Sequence, residues 1–178
     1  MVDTPWKFFN EIGMYGIKPF VYIYLWLNGV KIGKRAKFYG FPKVFRHRGS
    51  EIVIGNNFEC RNWWYANPLG INHPTIISSW KKGAKIVIGN DVGISGGSIV
   101  ASKSISIGDR VLIGANSTIV DNNFHPLKGS NKRYSKNNIS ESSVIIGNDV
   151  FMGMNSTVLK GANIKNGSTV PAGDIIRN

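Results

Sequence analysis

Residues 143–176 read SVIIGNDVFMGMNSTVLKGANIKNGSTVPAGDII, and in this stretch an aliphatic or methionine side chain returns at every sixth position. These positions are Ile146, Met152, Val158, Ile164, Val170 and Ile176. An α-helix repeats its apolar face about every 3.6 residues and a strand every second residue, so neither element explains the pattern. A longer fixed period indicates a solenoid, in which each coil packs on its neighbours.

The same spacing extends back through the centre of the chain. Further aliphatic positions are Ile88, Ile94, Val100, Ile107, Ile113 and Ile119. A glycine directly follows several of them, as in the segments IGND and IGDR, and Gly, Asn and Asp tolerate the positive φ of tight corners. We therefore predict coils of three short strands, each pointing one aliphatic side chain inward. The regular register disfavours the alternative, a β-sandwich of alternating strands.

This repeat resembles the hexapeptide motif of the left-handed β-helix acyltransferases, in which glycine follows an aliphatic residue and a small residue comes three positions later. The resemblance covers residues 86–178, and residues 30–60 less regularly. It implies an all-β fold, a left-handed parallel β-helix; the handedness comes from the resemblance alone, because ordinary parallel crossovers are right-handed. It also implies a homotrimer with active sites in the grooves between subunits.

An aromatic N-terminus and two interruptions divide the chain. We expect an N-terminal helical cap over residues 1–29, made of one or two short helices, and a β-helix domain over residues 30–178. Loops are expected at about 61–85 and 121–139, where the six-residue spacing is lost. Long loops on a rigid scaffold often carry function. The second is the predicted extruded catalytic loop. The aromatic-rich first loop predicts either a sugar-stacking wall or packing against a neighbouring subunit or the N-terminal segment.

Composition limits the classes of function. The 22 Lys and Arg against 10 Asp and Glu give a net charge of +12, which attracts anions such as coenzyme phosphates or acidic lipid. The basic residues are spread along the chain, so we expect no nucleic-acid partner. Cys60 is the single cysteine, which excludes an intrachain disulfide and a cysteine-based zinc site. Without a recognisable secretion signal or an apolar run of spanning length, the chain is expected to be cytoplasmic.

His125 is the predicted catalytic base. Acetyl transfer to a hydroxyl needs a base that titrates near neutral pH, and imidazole is the side chain that does so. The segment FHPL at residues 124–127 resembles the loop of the maltose, galactoside and bacterial polysaccharide O-acetyltransferases, which implies that His125 takes the acceptor's proton. Asp121, four residues earlier, would orient the imidazole, hold a sugar hydroxyl, or close the first turn of the loop.

Four further residues are candidates for contact with the acceptor sugar. Asn123 and Arg133 belong to the same loop as His125. Asn72 and His73 belong to the segment NPLGINHP, which resembles the polysaccharide-modifying branch of these enzymes. Galactoside-type relatives carry an acceptor-binding Asn one coil before the loop, where this chain reads ISGG, so the resemblance to that branch does not extend to the acceptor.

The resemblance also implies a site for acetyl-coenzyme A along the C-terminal coils. The residues that match it are Phe151, Gly153, Lys160, Lys165, Ala172, Gly173 and Arg177. The small residues would leave room for the pantetheine arm, and the basic residues would bind the phosphates. The phenylalanine occupies a position where relatives often have Trp.

Together these features predict an acetyl-CoA-dependent O-acetyltransferase that acts on a sugar or glycan hydroxyl in surface polysaccharide biosynthesis. The alternative is an N-acetyltransferase of a nucleotide-linked amino sugar, which shares fold and donor. A γ-class carbonic anhydrase needs three His ligands per site, and His47, His73 and His125 have the wrong spacing, so no metal is expected. The aromatic N-terminus and the basic charge also suggest peripheral contact with the inner face of the membrane; the alternative is simple capping of the β-helix.

Overall fold

The computed structural model describes residues 4–127, 134–135 and 137–178. One helix, α1 (Pro5–Leu27), precedes a series of short strands. The strands are β1 (Lys31–Ile32), β2 (Lys37–Tyr39), β3 (Lys43–Arg46), β4 (Glu51–Ile54), β5 (Glu59–Arg61), β6 (Ile76–Ser79), β7 (Lys85–Ile88), β8 (Gly93–Ser95), β9 (Ser98–Ala101), β10 (Ser104–Ile107), β11 (Leu112–Ile113), β12 (Thr118–Val120), β13 (Val144–Ile146), β14 (Phe151–Met152), β15 (Thr157–Val158), β16 (Asn163–Ile164), β17 (Thr169–Val170) and β18 (Ile175–Ile176).

The strands form three parallel sheets of six strands each. Sheet A contains β1, β4, β7, β10, β13 and β16; sheet B contains β2, β5, β8, β11, β14 and β17; sheet C contains β3, β6, β9, β12, β15 and β18. Each coil therefore gives one strand to each sheet, and this is the left-handed parallel β-helix that the sequence predicted. The turns between strands lie at three corners, named AB, BC and CA after the sheets that they join.

The repeat positions fill the interior of the β-helix, with one error in the predicted register. Ten of the twelve predicted positions are fully buried, and Ile176 in the last coil is half-buried. Val100 was predicted to point inward, but in β9 the neighbouring Ile99 is buried instead. The chain turns at Gly96, whose φ is +54°, and only five positions then separate Ile94 from the next inward residue. The correct register at this corner depends on a glycine turn that shortens the coil.

Corner AB is closed by a ladder of side-chain oxygens, each of which binds the backbone of the preceding coil. The Asn56 N–H donates to Asn90 Oδ1 at 2.9 Å, and the Asn90 N–H donates to Asp109 Oδ1 at 2.6 Å. The Asp109 N–H donates to Asn148 Oδ1 at 2.8 Å, and the Asn148 N–H donates to Asn166 Oδ1 at 2.8 Å. Backbone donors that a tight corner would leave unpaired are thus satisfied by the next coil.

The glycines that precede the ladder residues leave no room for a side chain. A Cβ atom built at Gly108 would lie 2.7 Å from the carbonyl carbon of Gly147 in the next coil. We expect Gly108→Ala to lower the free energy of unfolding by about 2–3 kcal/mol, because the added methyl must push the stacked backbones apart. Denaturant unfolding followed by circular dichroism measures the change.

Gly16 in helix α1 provides the matched control for this substitution. Nothing lies within 4 Å of a Cβ built there. Gly16→Ala should therefore raise the free energy of unfolding by about 0.5–1 kcal/mol through helix propensity. Equal effects of the two glycine substitutions would contradict the steric explanation.

Helix α1 closes the first coil of the β-helix. Val21 and Leu25 are fully buried in the main core, and Met14 packs against Tyr39 in a smaller cluster. The Tyr39 hydroxyl donates to Glu11, and burial together with this hydrogen bond raises the pKa of Tyr39, so the phenol remains a donor. The predicted N-terminal helical cap is confirmed as one helix, but with 23 residues α1 is longer than the short helix or helices that were predicted. Its internal Pro19 is exposed, so the missing hydrogen bond does not disturb the packed face.

No helix in the described part of the chain has both the length and the apolar character needed to cross a membrane.

The first predicted loop is shorter than expected. Strand β6 of sheet C lies inside the predicted interval 61–85, so the insertion is confined to residues 62–75 at corner BC. The six-residue spacing fails here because the following turn, residues 80–84, is itself five residues long. The second loop leaves after β12 at corner CA and returns to β13, and a bridge between Asn122 and Glu141 closes its base.

Candidate active site

The second loop encloses a cavity at corner CA that contains His125. The cavity has a volume of about 460 Å³ and is lined by Trp80, Lys81, Phe124, His125, Tyr134, Ser135 and Ile139. The Trp80 and Phe124 rings meet edge to face, with centroids 6.3 Å apart. Lys81 Nζ lies 2.7 Å from Glu141 Oε2, which ties the corner to the far end of the loop. An exposed imidazole thus faces a cavity with an aromatic wall.

The backbone before His125 has an unusual conformation. Phe124 has a φ of 58°, in the left-handed region that a bulky side chain rarely adopts. The other described non-glycine residues in this region are Arg, Asn and Asp. The Phe124 N–H donates to Asn122 Oδ1 at 2.8 Å, and the His125 N–H donates to the Asn123 carbonyl at 2.6 Å. Strained positions of this kind concentrate at functional sites.

The carboxylate of Asp121 is fully buried and bound by the backbone of the preceding coil. Its Oδ1 accepts from the Ser102 N–H, and its Oδ2 accepts from the N–H groups of Lys103 and Ser104, all at 2.7 Å. The Asn122 side-chain amide adds a fourth hydrogen bond at 3.1 Å. This geometry favours the loop-closing alternative for Asp121. The other roles, in which Asp121 orients the imidazole or holds a sugar hydroxyl, stay predictions.

Asn123 and Arg133 are the two acceptor candidates in the second loop. The Asn123 N–H donates to the Ser140 carbonyl at 3.1 Å, which joins the two sides of the loop. Its side-chain Nδ2 is buried and has no hydrogen-bond partner within the described ranges. Asn123 therefore stays a candidate for the acceptor, because a buried amide favours any ligand that completes its hydrogen bonds. Arg133 lies outside the described residues.

The other two acceptor candidates lie at corner BC, in the first loop. The Asn72 N–H donates to Asn116 Oδ1 at 2.8 Å, which fixes this loop on a later coil. The ring Nδ1 of His73 lies 2.8 Å from the Pro74 carbonyl oxygen, so Nδ1 carries the proton. Within one chain, sheet C separates this corner from His125. The structure therefore does not bring Asn72 and His73 together with Asn123 in a single subunit.

The predicted coenzyme residues are also divided among different corners. Lys160 and Arg177 lie at corner CA, Gly153, Ala172 and Gly173 at corner BC, Lys165 at corner AB, and Phe151 on sheet B. Lys160 and Arg177 occupy the coils that follow the second loop. One subunit alone does not gather the set into a single site.

The small residues at corner BC, Gly153, Ala172 and Gly173, differ in how closely other atoms approach them. A Cβ built at Gly153 would lie 2.5 Å from the Ala172 nitrogen, so coil stacking requires this glycine. Gly173 has a φ of +77°, and nothing lies within 4 Å of a Cβ built there. Ala172 beside it is exposed. The surface at corner BC is therefore open at Ala172 and Gly173 and closed at Gly153.

A second cavity lies on the outer face of sheet B, away from His125. Its volume is about 380 Å³, and its lining includes Glu59, Arg61, Asp91 and Phe151. Arg61 Nη2 lies 2.6 Å from Glu59 Oε1, and the Arg61 guanidinium stacks over a tyrosine ring. These residues come from three different coils, so no single sequence motif marks the cavity.

Neither cysteine nor metal chemistry has a site in the described part of the chain. Burial raises the pKa of the Cys60 thiol to about 12, which keeps it from acting as a thiolate at neutral pH. Among the described residues, no group of three or more His, Cys, Asp or Glu side chains lies together as metal ligands would.

Comparison with known proteins identifies the repeat. The family model described as the hexapeptide repeat of succinyl-transferase matches residues 104–120 and 143–177. These two segments therefore carry a repeat of the hexapeptide kind. No curated protein matches this chain at a significant level.

Two solved structures of acyltransferases align with this hexapeptide-repeat chain. One is AntD, an N-acyltransferase from Bacillus cereus, in complex with dTDP-4-amino-4,6-dideoxyglucose and coenzyme A; it has 15% identity and a TM-score of 0.46, over 82% of this chain and 71% of that chain. The other is the polysialic acid O-acetyltransferase OatWY, with 18% identity and a TM-score of 0.38, over 73% of this chain and 71% of that chain.

Sequence reasoning missed several residues around the cavity of this hexapeptide-repeat chain. Trp80 was placed in the aromatic-rich first loop, and Lys81 and Glu141 were not selected. In-register pairing of β6 with β9 brings residue 80 to corner CA beside Phe124. The signal that could have found Trp80 is the short IISS segment that precedes it, once it is read as a coil strand.

Proposed function

We propose that this hexapeptide-repeat acyltransferase transfers an acetyl group from acetyl-CoA to a hydroxyl of a sugar or glycan acceptor, in surface polysaccharide biosynthesis. The observation that carries the proposal is the exposed imidazole of His125 in a cavity walled by Trp80 and Phe124. Aromatic walls of this kind pack against the apolar face of a sugar ring, while a small number of polar groups fix its orientation.

His125 acts as the general base in this proposal. Bound acetyl-CoA supplies the acetyl group as an activated thioester. The imidazole accepts the proton of the acceptor hydroxyl as that oxygen attacks the carbonyl carbon of the thioester, because a free hydroxyl is a poor nucleophile near neutral pH. The C–O bond of the ester forms, the C–S bond breaks, and the proton passes from His125 to the leaving sulfur, which departs as the coenzyme thiol. Trp80 and Asn123 position the sugar, and the Lys81–Glu141 ion pair holds the loop against the corner.

Lys160 and Arg177 would bind the coenzyme phosphates at the same corner. Both lie at corner CA in the coils that follow the loop of His125. Ammonium and guanidinium groups are strong partners for phosphate oxygens. The exposed Ala172 and Gly173 would accommodate the pantetheine arm, together with Phe151 and Lys165 along the C-terminal coils.

A homotrimer belongs to the same proposal. The candidate residues fall into two main groups, one at corner CA around His125 and one at corner BC around His73 and Gly173. Cyclic three-fold symmetry would bring the first corner of one subunit to the second corner of the next, and each groove would then hold a complete site. We place this trimer in the cytoplasm, at the inner face of the membrane.

An acceptor assay tests the proposed reaction. Purified protein is incubated with acetyl-CoA and either neutral sugars and glycans or nucleotide-linked amino sugars, and released coenzyme thiol is measured. We expect turnover with a hydroxyl acceptor, and a product ester that mild hydroxylamine cleaves back to the acceptor. Succinyl-CoA in place of acetyl-CoA is the donor control and should react more slowly. Turnover confined to amino sugars, with a hydroxylamine-resistant amide product, would establish the N-acetyltransferase instead.

A further inference from the structure

The outward face of helix α1 is apolar along its whole length. Six of its large side chains are each more than half exposed: Phe9, Ile12, Phe20, Ile23, Trp26 and Leu27. At about 100° per residue, all six fall within one arc of the helix, opposite the buried Val21. The three charged residues of α1, Lys7, Glu11 and Lys18, lie outside this arc.

The packing of α1 prevents this face from turning inward. On the opposite side, Met14, Val21 and Leu25 are fully buried against the β-helix. Glu11 accepts the hydroxyl hydrogen bond of Tyr39, which fixes the N-terminal half as well. The apolar arc is therefore held at the surface. A continuous exposed patch of this kind is unusual for a protein without a partner there.

The coil on which α1 packs is strongly basic. Residues 29–50 contain seven Lys and Arg and no Asp or Glu. Residues 4–50 as a whole contain nine basic residues and one acidic residue, Glu11. The basic residues Lys34, Arg35 and Lys37 are exposed next to the helix in sequence and structure. The apolar arc thus belongs to the most positively charged part of the chain.

We propose that the outward face of α1 inserts into the headgroup region of an anionic membrane surface. Interfacial helices bind through buried apolar area together with attraction between basic residues and acidic lipids, and this end of the molecule supplies both. A second copy of the chain fits less well, because it would bring two equally basic coils together. The inference stands on α1 and its charge alone, so it does not depend on the proposed acetyl transfer.

Vesicle sedimentation of the full-length protein tests this inference. The vesicles contain phosphatidylcholine and phosphatidylglycerol in roughly a two-to-one ratio, with pure phosphatidylcholine as the neutral comparison. The test variant is Phe9→Ser with Phe20→Ser. The matched control is Phe45→Ser with Ile175→Ser, which removes two apolar side chains of sheet C that are also more than half exposed, without changing the charge. Circular dichroism confirms that both variants fold.

We expect the wild type and the control variant to sediment with anionic vesicles, and the α1 variant to bind at least about tenfold more weakly. Binding of the wild type should weaken with added salt and with neutral vesicles. Equal binding of the α1 and control variants would overturn the proposal. An absence of wild-type binding would overturn it as well. If light scattering then showed that only the α1 variant loses self-association, the face would be a contact between copies of the chain.

Discussion

Replacement of His125 by alanine is expected to lower kcat by about 10²–10⁴-fold, which is the contribution of a positioned general base. The side chain is exposed in the corner CA cavity, so its removal disturbs no packed core. The KM for acetyl-CoA should stay near the wild-type value, because the imidazole would act on the acceptor rather than on the coenzyme. Steady-state kinetics with the acceptor identified by the assay above, together with a thermal melt, measures both quantities.

Two comparisons separate this effect from a general loss of activity. His47→Ala removes another exposed imidazole, from the first coil, and should leave kcat unchanged. Lys160→Ala and Arg177→Ala should mainly raise the KM for acetyl-CoA. If His125→Ala keeps a near-normal kcat, the base lies elsewhere, and His73 is the next candidate.

Replacement of Asp121 by alanine is expected to lower the free energy of unfolding by about 3–5 kcal/mol. The reason is that three backbone N–H groups, those of residues 102–104, would lose the carboxylate that accepts from them. These groups lie where the chain passes from β9 to β10. Denaturant unfolding measures the loss, and Asp121→Asn should retain part of the stability because the amide oxygen still accepts.

Asp174→Ala is the control, because that carboxylate is exposed at corner BC, and its removal should change the free energy of unfolding little. The same variants decide whether Asp121 closes the loop or orients His125. A variant with near-normal stability but a strongly reduced kcat would establish that the carboxylate orients His125. Large destabilisation, with kcat preserved at low temperature, would establish the loop-closing role.

The fold could be predicted from the sequence because each coil repeats the same local solution. One aliphatic side chain for each short strand and one glycine for most corners leave a period that is visible without coordinates. The prediction failed where the coil changes length. Val100 was placed inward because the glycine turn at Gly96 was not counted, and β6 was missed because the turn that follows it is long. Such changes leave little trace in hydrophobic periodicity.

The candidate site was only partly predictable, for a physical reason. His125 could be selected because its neighbours in sequence, Phe124 and Pro126, form a local motif. Trp80 could not, because stacking of the coils brings it to Phe124 across 44 positions of the chain. The hydrogen bonds of the Asp121 carboxylate could not be predicted either, because their donors are backbone N–H groups of an earlier coil. Contacts between coils follow from strand register, and register is what a single sequence specifies least.

The three corners differ in their capacity for insertions. Corner AB holds the ladder from Asn56 to Asn166, and a side-chain oxygen at each of its turns is bound to the preceding coil. An insertion there would break two neighbouring coils at once, whereas corners BC and CA already accommodate the long segments 62–75 and 121–143. The β-helix therefore has a fixed spine and two variable edges. New acceptor specificities can evolve, or be grafted, by exchange of the loops at those edges while the spine continues to specify the fold.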